Sequence, residues 1–252
     1  ITGSILTFEH SESDQNLGYD KVIMQAGGIG YGKVDQSKKL QPHPGDKIIV
    51  MGGDNYRIGM GGAAVSSADT GEFGSGIELN AVQRSNPEMQ KRVANAIRGM
   101  VESDNNHIIS IHDHGAGGHL NCLSELVESS GGKIDLDKLP IGDPTLSAKE
   151  IIGNESQERM GLVISPSYVD TLQKIADRER APMYVVGEVS DDHQFTIKSS
   201  STGEIPIDLS LQDMFGSSPA TVLHDTTVHR EYDDLEYQVE QLDTYLNQVL
   251  QL

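Results

Sequence analysis

The sequence has no tryptophan, a single cysteine and few basic residues. Cys122 cannot form an internal disulfide, which agrees with the reducing cytoplasm in which we expect this protein. Lysine and arginine total 19 against 38 acidic residues, and the net charge of the 252-residue chain is −19. So acidic a surface repels nucleic acid and anionic membranes, and no basic stripe or RNA-binding motif is present. We therefore expect neither of them as a partner.

Long apolar runs are also missing. No stretch approaches the length of a membrane-spanning helix, and the first residues do not follow the pattern of a signal peptide. The chain opens with Ile1 instead of Met, and we expect it to be a segment of a longer polypeptide. An acidic chain can still bind a phosphorylated small molecule if backbone N–H groups or a divalent cation receive the phosphate.

Strand-like and helix-like patterns alternate along most of the chain. Helices are predicted from Pro87 to Met100, with Asn86 as N-cap, from Leu120 to Glu128 and from Ser165 to Arg178. The stretch from Gly52 to Gly76 is predicted to be mostly loop. Short apolar runs bounded by turn residues predict strands at SILTFEH, KVIMQAGGIG, HIISIHD, MGLVIS, MYVVGEV and QFTIKS, and one within PGDKIIVMGGD. This order predicts an α/β fold with one mixed β-sheet and helices packed on one face.

The stretch GGDNYRIGMGGAAVSS follows a predicted strand and contains Gly59, Gly61 and Gly62. Clustered glycines let backbone N–H groups converge on an anion, so these three are candidate phosphate ligands. The stretch is neither a Walker A motif nor a GxGxxG fingerprint. A glycine-lined turn packed tightly on a neighbouring segment explains it equally well.

The stretch IHDHGAGGHL places one aspartate and three histidines where a strand meets a helix. Ligands of α/β sheets bind at such strand ends, and the Asp113 carboxylate is a hard oxygen donor that suits Mg²⁺. His112 and His114 could instead suggest a zinc or iron site, which we favour less than Mg²⁺ without excluding it. We expect His119 to be a hydrogen-bonded structural residue.

The stretch NESQERM lies between two apolar runs. Glu155, Ser156 and Gln157 together offer carboxylate, hydroxyl and amide groups that can bind a ligand carrying amides and hydroxyls. We expect Arg159 either to pair with Glu158 or to hold the bend. Gln83, in VQRSNPEM, by itself indicates only a loop glutamine in water.

These stretches, with VQRSNPEMQKR and RERAP, resemble in order and spacing the large phosphoribosylformylglycinamidine synthases, from about residue 1 to 225. That family uses ATP and glutamine to convert formylglycinamide ribonucleotide into its amidine in purine biosynthesis. The resemblance implies a fold like the C-terminal domain of aminoimidazole ribonucleotide synthase, within the first of two repeats. Residues 1–18 would end the preceding domain, 19–220 form this domain, and 221–252 be a linker and helix starting the next.

The resemblance also implies roles for individual residues. Gln83 and the triplet Glu155, Ser156 and Gln157 would contact the ribonucleotide, and Asp113 would bind Mg²⁺. No catalytic residue is expected in this chain. ATP would be bound mostly by the remaining domains of the parent enzyme, which include a glutaminase domain, and the chain alone would be inactive.

One departure from the family and two alternative functions remain open. His114 departs from relatives that often carry an apolar residue there. A scaffold domain, whose pocket only other domains complete, is one alternative function. A metal-dependent hydrolase built on His112, Asp113 and His114 is another. The main expectation is that Asp113, at the end of a central strand, and the Glu155–Gln157 corner face a common cleft.

Overall fold

A computed structural model describes residues 2–6, 8–18, 23–68, 71–82, 86–156, 158–216, 220–222, 224, 236 and 238–251. The chain divides into two compact units, residues 1–216 and 217–252. Within the described ranges, none of the helices combines the length and the apolar character that crossing a membrane demands.

The strands of the first unit form one large sheet and two small ribbons. In chain order they are β1 (Thr2–Leu6), β2 (Glu9–Glu12), β3 (Gln15–Gly18), β4 (Ile23–Gly27), β5 (Lys47–Met51), β6 (Ile108–Asp113), β7 (Gly132–Asp135), β8 (Met160–Ile164), β9 (Met183–Val189), β10 (Gln194–Lys198) and β11 (Ile207–Ser210). β1 pairs with β4, and β2 pairs with β3, both antiparallel.

The helices lie mainly in the connections of the large sheet. They are α1 (Gly62–Ser67), α2 (Ser75–Ala81), α3 (Pro87–Val101), α4 (Gly118–Leu126), α5 (Ala148–Ile152), α6 (Val169–Glu179) and α7 (Leu211–Phe215), with α8 (Leu242–Leu250) in the second unit. α1 and α2 fall wholly or partly in the stretch predicted to be mostly loop. A short 3-10 helix precedes α6, and Ser165 makes no side-chain cap there.

The large sheet has the strand order β11-β10-β7-β9-β5-β8-β6. Among these described strands only β7 and β10 are parallel neighbours, so the predicted mixed α/β sheet is confirmed. β6 lies at an edge of this sheet, and the expectation of a central strand before Asp113 is wrong. The apolar residues of β6 are covered by packing on the two faces of the sheet, with Ile109 against one core cluster and Ile108 and Ile111 in the other.

Helices cover both faces of the sheet, whereas we expected them on one. Ile48 and Val50 pack in a cluster with α4 and α5, while Ile49 and Met51 pack in another with α3 and α6. Successive side chains of a strand point to opposite faces, so a strand that is apolar at every position buries both. The run of four fully buried residues in β5 has this physical cause.

α3 begins as predicted. The Asn86 side chain accepts a hydrogen bond from the Met89 backbone N–H at 3.1 Å, and Pro87 occupies the first turn. Val93 and Met100, seven residues apart on one face of the helix, are buried against the sheet. The sequence also predicts an amphipathic tail helix from Arg230 to Leu252, with Leu235, Val239, Leu242, Leu246 and Val249 on one stripe. In the second unit, α8 exposes Leu242, Leu246 and Val249, while Leu235 lies outside the described residues. The domain boundaries at 18 and 220 remain predictions.

The N-cap of α3 provides a test of the fold. We expect Asn86→Ala to lower the free energy of unfolding by about 1 kcal/mol, because the alanine cannot accept from the first turn. Asn86→Asp keeps an acceptor and should stay within about 0.5 kcal/mol of the unchanged protein. Urea unfolding followed by circular dichroism measures both. Equal stabilities for the alanine and aspartate variants would contradict the assigned cap.

Candidate functional site

Three loops meet where three neighbouring strands of the large sheet end. β5 and β6 both run antiparallel to β8, so their carboxyl ends lie beside the amino end of β8. The loop after β5 carries Gly59 to Gly62, the loop after β6 begins beyond Asp113, and the bend from Asn154 to Arg159 leads into β8. The sheet therefore brings together segments that are far apart in sequence, at the kind of edge where ligands bind.

Backbone hydrogen bonds join these loops directly. The Glu155 N–H donates to the Gly59 carbonyl at 2.8 Å, and the Ser156 N–H donates to the His114 carbonyl at 3.2 Å. A Cβ atom at Gly59 would lie 2.3 Å from the backbone carbonyl oxygen of Glu155, and Gly59 also has a φ of +76°. Only glycine fits where two backbones approach so closely.

The Glu155 side chain is buried between two of the loops, with 4% of its surface exposed. One carboxylate oxygen lies 3.4 Å from the backbone nitrogens of both Ala63 and Gly117. A Cβ atom at Gly62 would lie 2.7 Å from the other oxygen. Gly59 and Gly62 are thus packed tightly against the bend, whereas Gly61 faces open space. A phosphate contact for these glycines stays a prediction.

Asp113 lies at the exposed rim of this region. One carboxylate oxygen accepts from the Gly115 N–H at 2.9 Å, and the other makes no hydrogen bond with the described residues. Mg²⁺ is commonly held in proteins by one or two carboxylates, with water and substrate phosphates as its other ligands. A single accessible aspartate therefore fits this ion, although the ion itself is a proposal.

The histidines beside Asp113 do not join it in a metal site. His112 forms an ion-pair contact with Glu125, and His114 contacts His119 through ring nitrogens 2.9 Å apart. Among the described residues, no three or more histidine, cysteine, aspartate or glutamate side chains are grouped to hold a metal ion. The geometry therefore gives the hydrolase alternative no support.

Of the remaining predicted ligand residues, the described part of the chain includes Ser156. Ser156 is 3% exposed, and its hydroxyl has no hydrogen-bond partner among the described residues. Gln83 and Gln157 lie outside the described residues. The structure thus places Asp113, Glu155 and Ser156 around one corner of the fold, and the contacts of all five residues with a ligand remain predictions.

Arg159 is the fully buried centre of this corner. Its Nη2 donates to the Asn154 carbonyl at 2.8 Å and to the Asn154 side-chain oxygen. Its Nη1 donates to the Asn55 side chain and to His119 Nε2, the latter at 3.0 Å. Asn154 in turn donates to the Tyr56 carbonyl at 2.8 Å. The expectations that Arg159 holds the bend and that His119 is a hydrogen-bonded structural residue are both confirmed.

A second arginine, which no sequence pattern singles out, holds the glycine loop from outside. Arg57 Nε pairs with Glu150 at 2.9 Å, and Nη2 donates to the Thr145 carbonyl at 3.1 Å. The hydrogen bond from Arg57, with those from Ser147, lowers the pKa of Glu150 to about 2. Asn55 was missed as well, because an asparagine in a glycine-rich stretch normally indicates only a turn.

Replacing Arg159 tests the buried centre. We expect Arg159→Lys to lower the free energy of unfolding by at least about 3 kcal/mol, because one ammonium cannot reach both Asn55 and Asn154 and leaves buried acceptors without donors. Arg178→Lys, at an exposed arginine paired with Glu179, is the matched control and should change stability by less than about 0.5 kcal/mol. Chemical unfolding decides. A tolerated lysine at 159 would show that the guanidinium geometry is unimportant.

The buried histidines make stability depend on pH. Burial, and secondarily the charge of Arg159, lowers the pKa of both His114 and His119 well below 6.5. The unfolded chain binds protons near that value while the folded rings stay neutral, so acid favours unfolding. We expect the free energy of unfolding to fall below about pH 6.5 by up to about 1.4 kcal/mol per pH unit and ring.

His119→Gln removes one of these rings, and we expect it to reduce the dependence of the free energy of unfolding on pH by that ring's contribution. Unfolding curves at about pH 7.5 and about pH 5.5 measure the slope for both proteins. A slope that is the same with and without the imidazole would contradict a neutral, buried His119.

Comparison with known proteins gives this fold a family. Residues 43–199 match the family model described as AIR synthase related protein, C-terminal domain. A phosphoribosylformylglycinamidine synthase from Dictyostelium discoideum is 41% identical over 203 residues, which are 79% of this chain and 15% of that protein. The chain therefore spans about 15% of the length of this curated relative.

Solved structures agree with the family match. PurL from T. maritima complexed with FGAR is 28% identical with a TM-score of 0.69, over 79% of this chain and 32% of that chain. PurLQS from Thermotoga maritima is 25% identical with a TM-score of 0.62, over 79% of this chain and 31% of that chain. The chain belongs to the AIR synthase related protein family, as a C-terminal domain, and is similar to phosphoribosylformylglycinamidine synthases.

Proposed function

We propose that this chain is the substrate-binding domain of an ATP- and glutamine-dependent ligase that converts formylglycinamide ribonucleotide to formylglycinamidine ribonucleotide in purine biosynthesis. The site lies where the bend Asn154–Arg159 meets the loop after Asp113. The observation that carries the proposal is the direct contact of these two segments, through the Ser156 to His114 hydrogen bond. It occurs in a fold shared with a PurL complexed with FGAR.

The proposed reaction needs a site with several parts. ATP phosphorylates the amide oxygen of the ribonucleotide, and ammonia released from glutamine then displaces the phosphate. Water competes with ammonia for the activated amide, so the site has to be enclosed. Mg²⁺ offsets the charge of the phosphates, which an overall charge of −19 makes more necessary.

Each site residue has a binding role in the proposed reaction, and the exposed Asp113 fits this role. Asp113, exposed and with an oxygen left over, would hold the cation. Ser156 would contact the ribonucleotide through its hydroxyl, which is buried and has no hydrogen-bond partner among the described residues. Gln157 and Gln83, outside those residues, would contact it as well. Glu155 would contact the ribonucleotide as well, while one oxygen of its carboxylate accepts from the backbone of Ala63 and Gly117 and so ties two walls of the site together.

The other parts of the reaction are proposed to lie elsewhere in the parent enzyme. The chain corresponds to 15% of the D. discoideum relative, so most of that protein has no counterpart here. ATP binding, ammonia release by a glutaminase domain and the catalytic residues are assigned to those missing parts. The chain alone is therefore expected to bind substrate without turning it over.

Calorimetric titration with the ribonucleotide tests the proposal. We expect binding that strengthens when MgCl₂ is added, and we expect Asp113→Asn to remove this strengthening, because a neutral amide is a poor Mg²⁺ ligand. The amide oxygen of this variant can still accept from the Gly115 N–H, so the loop should survive. Glu128→Gln, an exposed position beyond the far end of α4, is the matched control and should behave like the unchanged chain.

Two outcomes would count against the proposal. An Mg²⁺ effect that persists in Asp113→Asn would move the cation elsewhere. No heat at all would favour the scaffold alternative, for which the burial of Glu155 and Ser156 speaks. In that case the same titration, repeated with the full-length parent enzyme, should show binding that depends on Asp113.

A further inference from the structure

The pair His114 and His119 has no role in the proposed binding chemistry, yet it connects two parts of the site. His119 lies in the first turn of α4, and His114 follows Asp113 directly. Both rings are buried, with 1% of the surface of His114 and 0% of that of His119 exposed. They meet edge to face, with ring centroids 4.7 Å apart at 85°.

The hydrogen bonds of His119 can run in only one direction. Arg159 Nη1 lies 3.0 Å from His119 Nε2, and a guanidinium only donates. Asn55 Nδ2 lies 3.2 Å from the same ring nitrogen. The orientation of this amide is fixed, because Arg159 contacts the Asn55 oxygen. His119 Nε2 therefore accepts, and in the neutral ring the proton is on Nδ1.

This direction is passed on to the second ring. His119 Nδ1 lies 2.9 Å from His114 Nε2, so the proton on His119 makes His114 Nε2 an acceptor. The proton of the neutral His114 ring then has to be on Nδ1. That atom is buried and has no hydrogen-bond partner among the described residues. Both histidines are thus held as the same tautomer by the Arg159 guanidinium, which donates to His119.

The relay also joins the loops that form the site. Arg159 anchors the bend through Asn154, and His119 anchors the start of α4. The His114 carbonyl accepts the Ser156 N–H at 3.2 Å, while the His114 N–H lies 3.4 Å from the Arg159 carbonyl. Moving the proton of either ring to its other nitrogen would bring two donors or two acceptors face to face in a buried space, which costs free energy.

We propose that His119 and His114 are positioning residues, joined to Arg159 in a one-way hydrogen-bond relay that holds the Asp113 loop against the bend and so fixes the geometry of the ribonucleotide site. The effect on ligand binding rests on the proposed function, whereas the relay itself does not. The competing explanation is that the two rings only fill space. In that case each ring exchanges between its two tautomers, and an apolar side chain of similar volume at position 119 supports the same binding.

Nitrogen-15 NMR of the full 252-residue chain tests the relay without any ligand. We expect the spectra of His114 and His119 each to show one protonated nitrogen, Nδ1, and one unprotonated nitrogen, Nε2, at neutral pH. Proton on Nε2 of either ring, or rapid averaging between tautomers, would overturn the relay. This result does not depend on whether a variant folds.

Two substitutions at position 119 test the positioning role. His119→Gln keeps an acceptor for Arg159 and a donor for His114, and should bind the ribonucleotide with Mg²⁺ within about threefold of the unchanged chain. His119→Leu has a similar volume but neither group, and should bind at least about tenfold more weakly. Circular dichroism confirms that both variants are folded before titration.

The outcomes separate this proposal from the proposed function. Leucine binding as tightly as glutamine would overturn the positioning role, and so would equal losses in the two variants. If the unchanged chain binds no ribonucleotide, the proposed function of the isolated chain fails while the NMR spectra still decide the relay. In that case the two variants are compared in the full-length parent enzyme, where the same order of affinities is expected.

Discussion

The burial of one guanidinium is the constraint on which the rest of the site depends. A charged group removed from water has to be met by well-placed acceptors, or the fold loses several kcal/mol. Arg159 meets acceptors from Asn55, His119 and Asn154, which belong to three different segments. The glycine loop, the start of α4 and the bend must therefore all be in place at once.

The close approach of backbones in this corner follows from the same constraint. Asn154 links Arg159 to the loop after β5. Its backbone also leaves no room for a side chain at Gly118, where a Cβ atom would lie 2.4 Å from the Asn154 carbonyl oxygen. Gly59 is subject to a comparable restriction from Glu155. The glycines that first suggested a phosphate loop are thus required, at least in part, by packing. Gly61 is the member of this group that packing leaves accessible.

The sequence was sufficient for the features that local patterns determine. The run Ile48 to Met51 indicated a buried strand, and Asn86 before Pro87 indicated a helix start. The position of β6 at the edge and the helices on both faces could not be predicted, because they depend on pairing between distant segments. The uninterrupted apolar run in β5 did carry the signal for two covered faces, and the prediction of helices on one face overlooked it.

The site was predictable in its members more than in their roles. Asp113 and Glu155 were singled out as ligand residues, but burial of Glu155 shows that its carboxylate also ties loops together. Asn55 and the direction of the histidine relay were not predictable, because hydrogen-bond partners up to 104 residues apart leave no periodic or local trace in a sequence. Such contacts follow only from the complete fold.

The central claim is that the Asp113 loop and the bend from Asn154 to Arg159 form one ligand site. A crystal structure of the chain soaked with formylglycinamide ribonucleotide and Mg²⁺ tests it most directly. We expect a cation at the Asp113 carboxylate and the ribonucleotide in contact with Ser156. Ordered ligand on another surface, without contact to Asp113 or Ser156, would contradict it.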